Sequence, residues 1–164
     1  MKKRKIQNIV LVSIAVIIIS GVIGYNYYID QVKIKGFTFG NEILQIQEEL
    51  KKSQDEFLAG EKMLKNEEIT KEEFLEIAEK HTEKMTELIL RYDSLNPPEP
   101  FEASVDLLKL STQTQLEAEN LIISWAKTGN TDDLLRADAV FQEAFEYEMA
   151  GLSEFNAVKA GIKP

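Results

Sequence analysis

From Ile9 to Gly24 the chain reads IVLVSIAVIIISGVIG without one charge, and the next charged residue is Asp30. Such a stretch must find lipid. A helix from Gln7 to Tyr28 would be about 33 Å long at 1.5 Å per residue, enough to cross a hydrocarbon core of about 30 Å. Its six Ile, four Val and one Leu between Ile9 and Ile23 favour insertion by about 5 kcal/mol in total. Lys2, Lys3, Arg4 and Lys5 precede the run, and Tyr25, Tyr27 and Tyr28 follow it. The pattern predicts a cytoplasmic basic tail (1–6), a single-pass anchor in the cell membrane (7–29) and an extracytoplasmic remainder. A cleaved signal peptide would put the remainder on the same side. Val22-Ile23-Gly24 imitates a small-x-small cleavage site poorly, so a retained anchor is expected. Ser20 and Gly24 form a small-xxx-small pair through which two anchors could approach as a homodimer.

The rest has room for one modest domain. The chain has no cysteine, which excludes disulfides, thiolate metal sites, Cys nucleophiles and a lipidated Cys. Without the four N-terminal cations, 15 basic residues face 28 acidic ones, a net charge of −13. This balance argues against a nucleic-acid partner, whose phosphates need clustered cations.

Residues 30–40 carry Val32, Ile34, Phe37 and Phe39 between charges and glycines, a pattern that predicts an extended linker packed loosely on the domain. The domain itself is expected over 41–160, with a frayed tail over 161–164. Ile43, Ile46, Leu50, Phe57 and Leu64 form the stripe of a first helix ending near Asn66. Thr70 and Glu73 make a capping box for a second, whose face reads Phe74, Ala78, His81, Met85, Leu88, Tyr92 and Leu95 in steps of three and four. Asn96-Pro97-Pro98-Glu99-Pro100 stops it, because proline lacks the amide and restricts the residue before it. Pro100 suits the first turn of a third helix carrying Phe101, Val105, Leu108, Leu121, Ile122 and Trp125 and closed by Gly129. Asn130 or Thr131 caps a fourth, with Asp132 and Asp133 at its positive end and a stripe of Leu134, Phe141, Phe145, Leu152 and Phe155. Four such helices bury their stripes most simply as an antiparallel up-down four-helix bundle, so the predicted fold is all-α: a transmembrane helix followed by that bundle. Glu48, Glu49, Lys51 and Lys52 read as a solvated face.

In an antiparallel bundle the helix midpoints share one level, and here they are polar: Ser53 and Gln54, then His81, then Thr112 to Gln115. Ser111-Thr112-Gln113-Thr114-Gln115 interrupts every apolar stripe for more than one turn, so a buried polar layer is expected. Its plain role is to fix helix register through mutual hydrogen bonds. Its sharper role is a small-ligand pocket built from Ser53, Gln54, His81, Thr112 and Gln115, with Trp125 or Tyr92 as a wall. His81 and Met85, four apart, are the weak candidates for a soft metal site, but such a His is more often a core residue and such a Met a gap-filler. Di-iron bundles use Glu-x-x-His on two helices, whereas Ala78 precedes the only His by three. No cofactor is implied. No Gly-x-Ser-x-Gly, phosphate loop or His-Glu-x-x-His is present, so no enzyme is expected.

Tyr92-Asp93-Ser94-Leu95-Asn96-Pro97-Pro98, continuing through Phe101, Ser111 to Leu116, Thr128-Gly129-Asn130 and Phe145-Glu146-Tyr147-Glu148-Met149, resembles uncharacterised archaeal envelope proteins with one N-terminal anchor. The resemblance covers Phe39 to Phe155. It implies a membrane-anchored helical domain outside the cell and carries no activity. The expected role is interaction with a protein partner at the envelope, as scaffold or accessory subunit. The alternative is a solute-binding or sensory ectodomain.

Overall fold

A computed structural model describes residues 39–161, which belong to the second of the two units into which the chain divides at Thr38/Phe39. Among the described residues are four α-helices: α1 over 39–65, α2 (Lys71–Ser94), α3 (Glu102–Thr128) and α4 (Thr131–Lys159). A 3₁₀ turn, Glu99–Phe101, leads into α3 with Pro100 in it. No helix among them is long and apolar enough to cross a membrane. The anchor expected over 7–29 and the Ser20/Gly24 pair lie outside the described residues.

Local chemistry sets the helix ends. Glu67 turns into the left-handed region (φ 60°). Its N–H donates to Leu64 O at 3.0 Å and that of Glu68 to Met63 O at 2.9 Å, a Schellman closure of α1. Both halves of the Thr70/Glu73 capping box are present, with Thr70 N–H donating to Glu73 Oε2 at 2.7 Å and Glu73 N–H to Thr70 Oγ1 at 3.2 Å. Gly129 (φ 77°) ends α3, and the Asn130 side chain accepts from Asp132 N–H to begin α4.

The core is two apolar clusters. Ile43, Ile46 and Leu50 of α1 meet Met85, Leu88 and Tyr92 of α2, Val105 and Leu108 of α3, and Leu152 and Phe155 of α4. Phe57 of α1 meets Phe74 and Ala78, Ile122 and Ile123, then Ala137 and Phe141. The start of α1 thus shares an end with the finish of α2, the start of α3 and the finish of α4, which is the antiparallel up-down order.

Two expectations are corrected. The linker does not reach Gly40: residues 39 and 40 are already helical, and Phe39 is buried against Phe101 and Phe155, with ring centroids 5.6 and 6.2 Å away. Phe39 stands four residues before Ile43, so the helical period included it, and the glycines beside it masked the signal. On α4, Leu134, Phe141, Leu152 and Phe155 pack against the two clusters as expected, but Phe145 does not. Phe145 is 53 % exposed, while Ala137, Ala144 and Gly151, seven apart, face inward. A Cβ on Gly151 would lie 2.9 Å from Leu108 Cγ and 3.1 Å from Leu108 N, so α4 lies too close to α3 for a large side chain on that seam. Ser111 Oγ donates to Ala144 O across the same contact at 2.8 Å.

Candidate functional site

The inward face of α3 runs Val105, Leu108, Thr112, Gln115, Glu119 and Ile122, every one buried. Steps of three and four carry this face from one apolar cluster to the other, and its three middle residues are polar. The α2 face brings His81 to the same level, and α1 brings Ser53.

His81 lies between two partners. Ser53 Oγ is 2.8 Å from Nδ1, and Glu119 Oε2 is 2.8 Å from Nε2, with side-chain exposures of 2 % for His81 and 0 % for Glu119. Phe57 stacks on the imidazole at 4.6 Å. A proton on Nε2 facing the carboxylate leaves Nδ1 to accept from the Ser53 hydroxyl, a tautomer assigned from the partners. His81 Nε2 and Glu119 Oε2 are in contact, but neither that nitrogen nor either Glu119 oxygen has a hydrogen bond of good geometry among the described residues. Burial pushes the Glu119 carboxyl up, and His81 pulls it back.

The other expected residues part company. Thr112 is fully buried and donates to Leu108 O at 3.0 Å. Near it the Tyr92 hydroxyl accepts from Gln47 Nε2 at 2.6 Å, and burial raises the phenol against the bonds to Thr112 and Gln47. Gln115 is buried, with Nε2 donating to Ser111 Oγ at 3.3 Å, and it shares a small recess with Gln54. Trp125 is not at this level: it packs on the second cluster, half-buried, with Lys65 Nζ 5.5 Å from its ring centroid. Met85 belongs to the first cluster. Both His81 nitrogens already face protein groups, and no cluster of three metal-ligating His, Cys, Asp or Glu occurs among the described residues.

Glu119 is the residue that the sequence reading missed. Its signal was spacing, seven after Thr112 and four after Gln115, hidden because the chain has so many acids.

Open grooves border the layer. One, of about 700 Å³ between α1 and α2, has Ser53, Phe57, Gly60, Ile77 and His81 in its lining, with Lys80 beside them. Ser53 is placed to pass its proton to His81, as in nucleophile–base pairs. Ser53 and His81 both sit within helices, whose backbone amides at these positions are committed to helical bonds and so are not free to hold an oxyanion.

No family model matches the chain, and neither a curated protein nor a solved structure does. The class that fold and site define, over the described residues, is an all-helical bundle with a buried His-Glu contact and a half-buried serine beside it. The resemblance to archaeal envelope proteins rests on the sequence segments alone.

Proposed function

We propose that this chain is a membrane-anchored extracytoplasmic bundle that works by protein interaction, as a scaffold or accessory subunit at the cell envelope. The observation that carries this is the closed polar layer: Ser53, His81 and Glu119 contact one another instead of surrounding a chamber. The interior then serves structure, and binding falls to the outer faces, where Leu135, Phe145 and Met149 of α4 stand exposed. The apolar run from Ile9 supplies the anchor. The absence of native cysteine makes the topology directly testable. Leu135→Cys should react with a membrane-impermeant maleimide on intact cells, and Lys3→Cys only after lysis. Labelling of Lys3→Cys alone on intact cells, or recovery of full-length protein dissolved in the cytosol, refutes the topology. A photo-crosslinking residue at Phe145 should then give one discrete adduct in native membranes. A smear indistinguishable from that of a charged-face control such as Glu76 refutes the interaction role.

A second reading, a solute-binding ectodomain, is favoured by the groove that brings Ser53 and His81 within reach of solvent. Saturable thermal stabilisation of the full chain by a small molecule, lost in Ser53→Ala, would select it.

A further inference from the structure

We infer that the outward face of α4 seats an amphipathic helix of a partner protein, one whose apolar stripe is flanked by cations. This rests on the interaction reading above and names the chemistry of the partner. Apart from Asp133, the buried residues of α4 are Ala137, Ala144 and Gly151, all small, while Leu135, Phe145 and Met149 stand 71, 53 and 51 % exposed. The helix thus keeps bulk for its outside. Leu135, Gln142 and Met149 recur every seven residues, and Asp138 and Phe145 follow the first two by three. That is the a and d spacing of a two-helix seam, and from Leu135 to Met149 it extends about 21 Å at 1.5 Å per residue.

Charge decides what can lie on this seam. Between Thr131 and Phe155 the helix carries seven acidic residues and one cation, Arg136, which already lies 3.8 Å from Asp133. Asp132, Asp138, Glu143 and Glu146 are exposed. By the helical period Glu146, Asp132 and Glu143 flank the seam on one side, and Asp138 stands within it. Among the described residues Asp138 has no ion pair or hydrogen bond. A second copy of the chain would set these carboxylates against their own counterparts, and an anionic bilayer surface would repel them. A helix with apolar residues at its own a and d positions and Lys or Arg beside them answers both features. A cation opposite Asp138 then fixes its register, as polar seam residues do in coiled coils.

The test uses the full chain in nanodiscs of zwitterionic lipid with isotope-labelled methionine methyl groups, so that Met149 reports on the seam and Met63, exposed on α1, on adventitious binding. The probe is a synthetic three-heptad helix with Leu at a and d, Lys at e and g, and one further Lys at its central d position. A scrambled peptide of the same composition and a peptide with Glu for Lys are the controls, and empty discs correct for lipid binding. The Lys peptide should shift the Met149 methyl saturably, one helix per chain, and leave Met63 in place, and neither control should. Phe145→Ser, at a position more than half exposed where folding is not at stake, should weaken binding roughly tenfold or more. Asp138→Lys should weaken it several-fold, a peptide with Glu at the central d position should recover it, and Glu76→Lys, the same charge change on the exposed surface of α2, should do neither. No saturable Met149 shift, a scrambled peptide that binds as well, equal losses in Asp138→Lys and Glu76→Lys, or a self-associating chain in which Met149→Cys forms a disulfide with a second copy overturns the inference. A discrete adduct at Phe145 in native membranes without peptide binding sinks this inference alone and leaves the interaction role standing. A smear there beside saturable peptide binding refutes that role and upholds the chemistry of the face.

Discussion

The His81/Glu119 pair makes a double-mutant cycle decisive. Both side chains are out of water and 2.8 Å apart, and the pull of His81 on the Glu119 carboxyl counters burial. His81→Leu strands that carboxylate or forces it to take up a proton, at a cost of about 3 to 5 kcal/mol. Glu119→Leu leaves an imidazole that keeps its bond to Ser53, so the cost is about 1 to 3 kcal/mol. If the two acted independently, the double variant would lose the sum, about 4 to 8 kcal/mol, which rivals the whole stability of an ordinary domain at about 5 to 15 kcal/mol. The geometry instead predicts strong coupling. His81→Leu with Glu119→Leu joins the two apolar clusters into one core, and its stability should return to within about 1 kcal/mol of the parent or exceed it. Urea unfolding of the full chain in mild detergent, read by the emission of Trp125, the only tryptophan, gives the three midpoints at constant slope. A double variant as weak as the sum of the singles would refute the pairing.

Burial raises Glu119 above its ordinary value of 4.5, so the folded chain holds that proton more tightly than the unfolded one. The stability difference between the parent and Glu119→Gln should therefore be most favourable to the parent below pH 4.5 and fall as pH rises through the folded value; a flat or rising difference in urea titrations at stepped pH contradicts this. Gly151→Ala gains about 1 kcal/mol of helix propensity but drives a methyl against Leu108, whose backbone N cannot give way, an overpacking cost of about 1 to 3 kcal/mol. Its melting temperature should drop. Glu67→Gly relieves a left-handed residue in the α1 closure and should stabilise by about 0.5 to 1 kcal/mol, measured by the same unfolding midpoint, while Gly129→Ala at φ 77° should do the reverse.

What the sequence disclosed followed from period and punctuation. The α2 face from Phe74 to Tyr92 was legible to the residue, because steps of three and four, a capping box and a proline stop agree there. The level of the polar layer was legible too, since Ser111 to Gln115 breaks the apolar pattern for more than a turn. Its decisive member was not: a buried glutamate has the same letter as a solvated one, and only the position of His81 across the interface separates Glu119 from Glu117. The α4 error has a similar cause. Hydrophobicity pointed to Phe145, but proximity to α3 ruled, and a seam of Ala137, Ala144 and Gly151 is nearly silent on a hydrophobicity scale.

The same layer answers a question the apolar clusters leave open. Ile43, Leu50, Phe57 and Leu64 recur every seven residues, so sliding α1 by two turns replaces one apolar contact with another at small cost. Sliding α2 by seven is different, because it would set Phe74 or Leu88 opposite Glu119 and leave the carboxylate alone in the core. Only one register brings residue 81 to residue 119, so the clusters supply the stability and the pair selects among packings of nearly equal energy. The double Leu variant should therefore keep its stability and lose its uniqueness. The Trp125 indole N–H, a single nitrogen–proton signal in the parent, should broaden or split into several as the helices sample neighbouring registers. One sharp signal at the parent position would show that loops and caps fix the register unaided, and the buried pair would then need a reason to exist other than specificity.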